Sequence, residues 1–225
     1  PSLNEMDLTI LKDEFTFGLN RIYLLYEQLG FFATFLVSVN KLVLRQFYND
    51  IKNVDGLKIL NWMYAKDLKP ENNLCYLTVK PWKDIDGSIL EGYSSKIGSV
   101  TNLAIELAFY MGFSEVILIG VDHSYSKVGV PGLTILSEEG DKDHFSEEYF
   151  GKGVLWQLPD YKLFEIGYEK NRELFERNGR TIVDATKDGE LQIFDKVEFE
   201  KYLSRSKYMN QSDFNNINGM LGMSE

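Results

Sequence analysis

The sequence predicts an α/β fold, an open and mostly parallel sheet flanked by helices, and three observations carry that expectation. Residues 98–125 read as a helix from Val100 to Met111 stopped by Gly112, followed by the almost wholly apolar run Val116 to Val121. A short run of that kind suits a strand buried on both faces of a parallel sheet, and glycine just past the last turn is a common helix stop. Phe15 to Asn20 and Phe32 to Val39 read as strands upstream, each ending in polar residues, and Tyr161 to Asn178 with Arg180 to Asp184 repeats the helix and strand downstream. Open α/β sheets bind ligands beyond the carboxyl ends of their strands, so those polar ends are where chemistry is expected.

The elements follow in order. Ser2 or Asn4 is a candidate cap for a short turn over Met6 to Lys12, with Leu8 and Leu11 inward. The first strand delivers Asn20 and Arg21. The second delivers Ser38 and Asn40, and Asn40 also suits the N-cap of an amphipathic helix from Lys41 to Ile51, where Leu44, Phe47, Tyr48 and Ile51 share a face. Leu57 to Leu60 and Leu74 to Val79 are further strands, Pro70 and Pro81 mark loops, and Lys83 to Lys96 reads as a loop placed to carry substrate contacts. From Ser126 to Gly153 periodicity disappears, which predicts a long lid-like loop with at most a short turn. A last short helix is expected over Asp195 to Leu203. Residues 204–225, rich in Asn, Ser and Gly, are expected to be a disordered tail, leaving one domain over residues 1–203.

Composition narrows the classes of function. A chain of 225 residues with 44% hydrophobic content can bury a sizeable core. Its 34 acidic against 24 basic residues give a net charge of −10, which repels nucleic acid. No apolar run approaches the ~20 residues needed to span a bilayer, so no membrane span and a cytoplasmic location are expected. The single cysteine, Cys75, excludes an intrachain disulfide and a thiolate zinc cage, and it reads as a buried, inert thiol in a strand.

The candidate residues each carry two readings. Gly98, Ser99 and Thr101 stand at a helix N-terminus, where unpaired amides suit a phosphate or carboxylate; Ser99 or Thr101 is equally a simple N-cap. Asp122, at a strand end, suits Mg2+ or a ribose hydroxyl, or caps the next turn. His123 beside it reads as a packing residue. His144 has the chemistry to take a proton from an acceptor hydroxyl near neutral pH, or is an exposed loop histidine among carboxylates. Glu138 to Asp143 read as a solvated acidic stretch or a source of one metal ligand. Asn20 and Asn40 offer amide donors and a carbonyl acceptor for a base or sugar edge, and asparagine also ends strands.

In combination, Pro1-Ser2-Leu3-Asn4, Asn20-Arg21, the run from Gly98 to Tyr125, His144 to Phe150, and Asp184 to Leu191 with Phe194 resemble the MptE-like family over nearly the whole chain to about Leu203. That resemblance implies diphosphoryl transfer from ATP to a pterin-like or other hydroxyl acceptor, as in the family's 6-hydroxymethylpterin diphosphokinase, or a setting in surface glycan or flagellin glycosylation. A more distant resemblance, to bacterial sialyltransferases using CMP-sialic acid, rests on Pro1 to Leu3, Asn20, Gly98-Ser99, Gly120-Val121-Asp122 and His144. It implies His144 as general base and no obligatory metal. Both families resemble nucleotide-binding, Rossmann-like folds.

Together the resemblances imply a nucleotide, ATP or a CMP-sugar, held by Ser2, Asn20, Ser38, Asn40, Gly98, Ser99 and Thr101. His144 and Asp122 would be catalytic, with Mg2+ on Asp122 in the ATP reading. Both families place Gly-Asn-Gly and a strand ahead of Pro-Ser-Leu. The sequence opens at Pro1, so it is expected to be N-terminally truncated, lacking one sheet strand and part of its cofactor site. A third reading is a non-catalytic, nucleotide-binding or scaffold subunit of a glycan assembly.

Overall fold

A computed structural model of the protein describes residues 1–63, 73–80, 93–94, 98–127 and 129–205. The elements are β1 (Phe17–Leu19), α1 (Tyr26–Leu29), β2 (Phe35–Ser38), α2 (Lys41–Asn53), β3 (Leu57–Asn61), β4 (Leu74–Leu77), β5 (Val79–Lys80), β6 (Tyr93–Ser94), α3 (Val100–Tyr110), β7 (Glu115–Leu118), β8 (Thr134–Leu136), β9 (Leu155–Gln157), α4 (Tyr161–Arg177), β10 (Thr181–Asp184) and β11 (Asp195–Lys196). Short 3-10 turns cover Ser2–Glu5, Leu8–Leu11 and Ile22–Leu25, and residues 199–205 are helical.

The expected α/β class holds. β1, β2, β3 and β4 form a four-stranded sheet in that order with every pair parallel, and β7, β10 and β11 form a second parallel sheet with β10 in the middle. Neighbouring residues of β2 go to opposite sides. Leu36 packs with Val43, Leu44 and Ile51 of α2, while Val37 packs with Leu103, Ala104 and Leu107 of α3. Burial on both faces explains why β2 reads as an unbroken apolar run rather than as an alternation.

α3 straddles the two sheets. Leu103, Ala104 and Leu107 join the core of the first sheet, and Ile105 joins Leu118, Phe175 and Ile182 in the core of the second. The helix is apolar on nearly every side, as its double burial requires. On the far face of the second sheet, Phe199 and Leu203 close over Ala185, with Leu11, Ile117 and Ile119 packed against them.

β1 and β7 are the facing edges of the two sheets. Both line one cavity of about 850 Å3, over their full lengths.

Three expectations need correction. Cys75 is exposed, because it lies on β4, the outer strand of its sheet. The stretch after Ser126 is not without regular structure: β8 turns back against β9 in an antiparallel pair, with Ile135 opposite Trp156. Asp195 and Lys196 start not as helix but as a parallel edge strand beside Val183 and Asp184. Pro70, Pro81, residues 83–92 and the tail from residue 206 lie outside the described residues. Among the described residues, no helix is long and apolar enough to cross a membrane.

Candidate functional site

The polar mouth of the cavity collects the carboxyl ends of β1, β2 and β7 and the N-terminus of α3. Asn20, Asn40, Gly98, Ser99, Thr101, Asp122 and His144 all line it. Ser2 and Ser38 stand behind that lining. At about 850 Å3, its volume lies within the ~300–1,000 Å3 range usual for ligand sites.

Asn20 follows β1 with φ of 50°, a left-handed conformation that asparagine tolerates better than most residues. Its Oδ1 accepts a hydrogen bond from the buried Ser38 hydroxyl at 3.2 Å, so Ser38 orients Asn20 from below. Asn40 caps α2, its Oδ1 accepting from the amides of Leu42 at 2.8 Å and Val43 at 3.2 Å. The capping role uses its carbonyl oxygen, and the residue also lines the cavity.

Ser99 caps α3 by accepting from the Asn102 amide at 3.2 Å. Tyr168, reaching across from α4, hydrogen-bonds with the side chains of Ser99 and Thr101; burial raises its pKa, against the lowering effect of those two hydroxyls. Gly98 has φ of 82°, and a Cβ there would lie 3.0 Å from the carbonyl oxygen of Leu163. Only glycine lets α3 begin this close to α4.

Asp122 accepts the Ser2 amide on Oδ1 at 3.0 Å, and its own carbonyl accepts from Glu190. This contact folds the start of the chain over the end of β7, where Leu3 sits against Gly120: a Cβ on Gly120 would lie 2.5 Å from Leu3 Cγ. One Asp122 oxygen is thus used structurally. Oδ2, which takes no hydrogen bond among the described residues, is free for a ligand. Among the described residues no three His, Cys, Asp or Glu side chains gather as a metal cage. A Mg2+ at Asp122 would therefore take one carboxylate oxygen, with phosphates and water completing its shell, a common arrangement for that ion. His123 is pinned away from such a role: φ is 56°, Nε2 is 3.0 Å from Glu165 Oε1, and the ring stands edge-on to Tyr161.

His144 has a more specific environment. Its Nδ1 lies 2.8 Å from Oδ2 of the buried Asp141. A carboxylate there accepts the Nδ1 proton and leaves Nε2 as the basic nitrogen. Asp141 also accepts from the amides of Asp143, His144 and Phe150 at 2.9, 3.1 and 2.9 Å. Burial raises the Asp141 pKa, but the hydrogen bond and charge of His144, with the amides of Asp143 and Phe150, outweigh it, and the carboxyl sits below its ordinary value.

The His144 ring stacks on Tyr149 at 4.0 Å, and the Tyr149 hydroxyl interacts with Asn20. Burial pushes Tyr149 up to about 12 against the opposing effects of Asn20 and Arg21, so at neutral pH its phenol stays protonated. Arg21 holds this segment to the sheet: its Nη1 donates to the carbonyls of Glu148 and Tyr149, and its guanidinium lies 3.6 Å from the Phe47 ring centroid.

Sequence reasoning singled out His144 but missed Asp141 and Tyr149 as its partners, and missed Tyr168, which meets Ser99 and Thr101. For Asp141 there was a local signal. Asp-x-x-His places a carboxylate where it can accept amides two and three residues on, an Asx turn of the kind that short acidic side chains form. Tyr149 and Tyr168 arrive by tertiary packing and had no such signal. No family model, curated protein or solved structure matches the chain.

Proposed function

We propose that the protein is a nucleotide-dependent transferase, Rossmann-like in its sheet, that moves a group from a nucleotide donor to a hydroxyl acceptor with His144 as general base. The observation that carries this reading is the Asp141–His144 pair on the wall of a cavity at the carboxyl ends of parallel strands. Nε2 takes the acceptor's proton, the acceptor oxygen forms the new bond to the transferred group, and the nucleotide departs with the electrons of the broken bond. A positioned base of this kind contributes roughly 10²–10⁴-fold. Asp141 fixes the ring's tautomer and stabilises the imidazolium that forms. The phosphate end of the donor fits the start of α3, near Gly98 and Thr101, where the helix dipole favours negative charge. The amides of Asn20 and Asn40 face the base or sugar.

Two donors suit this mouth. A CMP-linked acidic sugar needs only the base, and the sialyltransferase resemblance supports it. ATP with diphosphoryl transfer is the chemistry of the MptE-like resemblance, and the open Oδ2 of Asp122 supports it: a Mg2+ held there would neutralise charge on the leaving phosphates. Either reading is compatible with a role in surface glycan or flagellin glycosylation.

Calorimetric titration with ATP, with ATP and Mg2+, and with CMP tests the reading. Binding of ATP only with Mg2+ selects diphosphoryl transfer, and binding of CMP without metal selects sugar transfer. If neither nucleotide binds up to millimolar concentration, the enzyme reading fails and the scaffold reading takes its place. Turnover by His144→Ala equal to the parent would remove the base.

A further inference from the structure

We propose that the outer edge of β8 is a self-association surface, through which two copies of the chain pair β8 antiparallel to β8 and join their β8–β9 pairs into one four-stranded sheet. The first support is the use of backbone groups. Leu158 donates to the carbonyl of Leu133, Ser137 donates to Val154, and Gly153 donates to the carbonyl of Ser137, so the odd-numbered residues of this stretch bond toward β9. Successive residues of a strand direct their N–H and C=O groups to opposite sides. Thr134 and Leu136 therefore direct theirs away from β9, and both residues are exposed. Among the described residues, those outward groups have no hydrogen-bond partner.

The far edge of the same pair is closed. Leu155 of β9 donates its amide to Gln46 Oε1 at 2.8 Å, and its carbonyl accepts from Gln46 Nε2 at 2.8 Å, so a side chain of α2 occupies that edge. Folded proteins usually blunt an open edge with a charge, a proline or a covering element. β8 itself contains neither charge nor proline, and residues 129–137 are uncharged on a chain of net charge −10. Leu136 nevertheless stands 55% exposed, beside the exposed Leu155.

The occupant is a second copy because β8 is complementary to itself. With Ile135 opposite Ile135 of the second copy, Thr134 of each copy faces Leu136 of the other, and each such pair exchanges two N–H···O bonds. Every outward group of both strands is then used. On the exposed face, Leu136 keeps Leu155 as its cross-strand neighbour and gains Leu136 of the second copy on the diagonal, so the leucines form one apolar stripe across a twofold axis. The same register sorts the charges. Glu138 and Glu139, just past β8, fall beside Gly132 and Pro131 of the second copy, whereas a parallel pairing would set like acids side by side. Through its inner face the pair reaches the cavity: Trp156, opposite Ile135, is buried, stacks on Phe150 and lines the cavity wall. Association braces that wall from outside, and it stands or falls independently of the transferase reading.

The test is sedimentation velocity over a hundredfold range of protein concentration, with amide hydrogen exchange at both ends of that range. A reductant is present, because Cys75 is exposed. The parent is expected to pass from monomer to dimer, and exchange at Thr134 and Leu136 is expected to slow at least tenfold in the dimer. Two variants break the pairing differently. Thr134→Pro removes a donor that the monomer leaves unused, at the first position of an edge strand, where proline is tolerated. Leu136→Lys sets a charge on the edge. Both are expected to remain monomeric at the highest concentration and to melt within a few degrees of the dilute parent. A parent that stays monomeric throughout would overturn the proposal. So would a dimer that either folded variant still forms as readily as the parent, or concentration-dependent protection at other amides with Thr134 and Leu136 unchanged.

Discussion

The imidazole of His144 and the phenol of Tyr149 lie face to face, 4.0 Å between centroids and 5° from parallel. The ring that Asp141 holds at one nitrogen is thus also held across its plane. Tyr149→Phe keeps the stack and loses only the hydroxyl that meets Asn20, so turnover should fall by less than about tenfold, within the worth of one hydrogen bond. Tyr149→Ala removes the wall behind the imidazole and should lower kcat further while leaving nucleotide affinity within twofold. Steady-state kinetics on both variants, with nucleotide titration, separates the two effects.

Asp141 should link stability to acid pH. Its carboxyl is depressed in the folded state, so its contribution is fully present above the ordinary carboxylate pKa and is lost as pH falls through the lower, folded value. Asp141→Ala also leaves the amides of Asp143, His144 and Phe150 without their acceptor, at a cost of about 1–3 kcal/mol for a buried unsatisfied group. Urea unfolding at pH 7 and at pH 3 should show a large difference between parent and variant at the first pH and a much smaller one at the second.

Glu106 should act in the opposite direction. Burial raises its pKa to about 7, only partly offset by Lys170. The folded state then holds a proton that the unfolded chain gives up near pH 4.5, so stability declines as pH rises from there through about 7. Glu106→Gln should raise the melting temperature at pH 8 and leave it nearly unchanged at pH 4. Equal shifts at both pH values would contradict a buried carboxyl as the cause.

Gly98→Ala should destabilise the protein by at least the ~1–2 kcal/mol of a left-handed non-glycine residue. The overlap adds to this, because the new Cβ would meet Leu163 main-chain atoms, which cannot rotate aside. Chemical denaturation measures the loss. Full recovery of stability in a variant that also carried Leu163→Ala would contradict this account, since the backbone contact persists.

Much of this was legible in the sequence where local signals and tertiary structure agree. Residues 100–110 carry a cap, an apolar run and a glycine stop, and they form the helix expected. Strand ends at Asn20, Asn40 and Asp122 were legible as a cavity mouth because parallel strands deliver their carboxyl ends to one side. What was not legible depended on distant partners. β8 has three residues and finds β9 nearly twenty residues later, too short and too remote to leave a periodic pattern. Asp141 sits in a run of acids that reads as solvated, and only the turn into Phe150 buries it. Ser38 reads as a strand-end ligand, yet the alternation of β2 turns it under Asn20.

The position of α3 also has a kinetic meaning. The four strands of the first sheet come from residues 17–77 and those of the second from residues 115–196, so each sheet can assemble from contacts within its own half of the chain. Among the described helices, only α3 has residues in the cores of both. Its docking is therefore the step that makes two local assemblies unfold as one cooperative unit. Exchange of the α3 amides reports the global opening of the molecule, while each sheet retains a sub-global opening of its own.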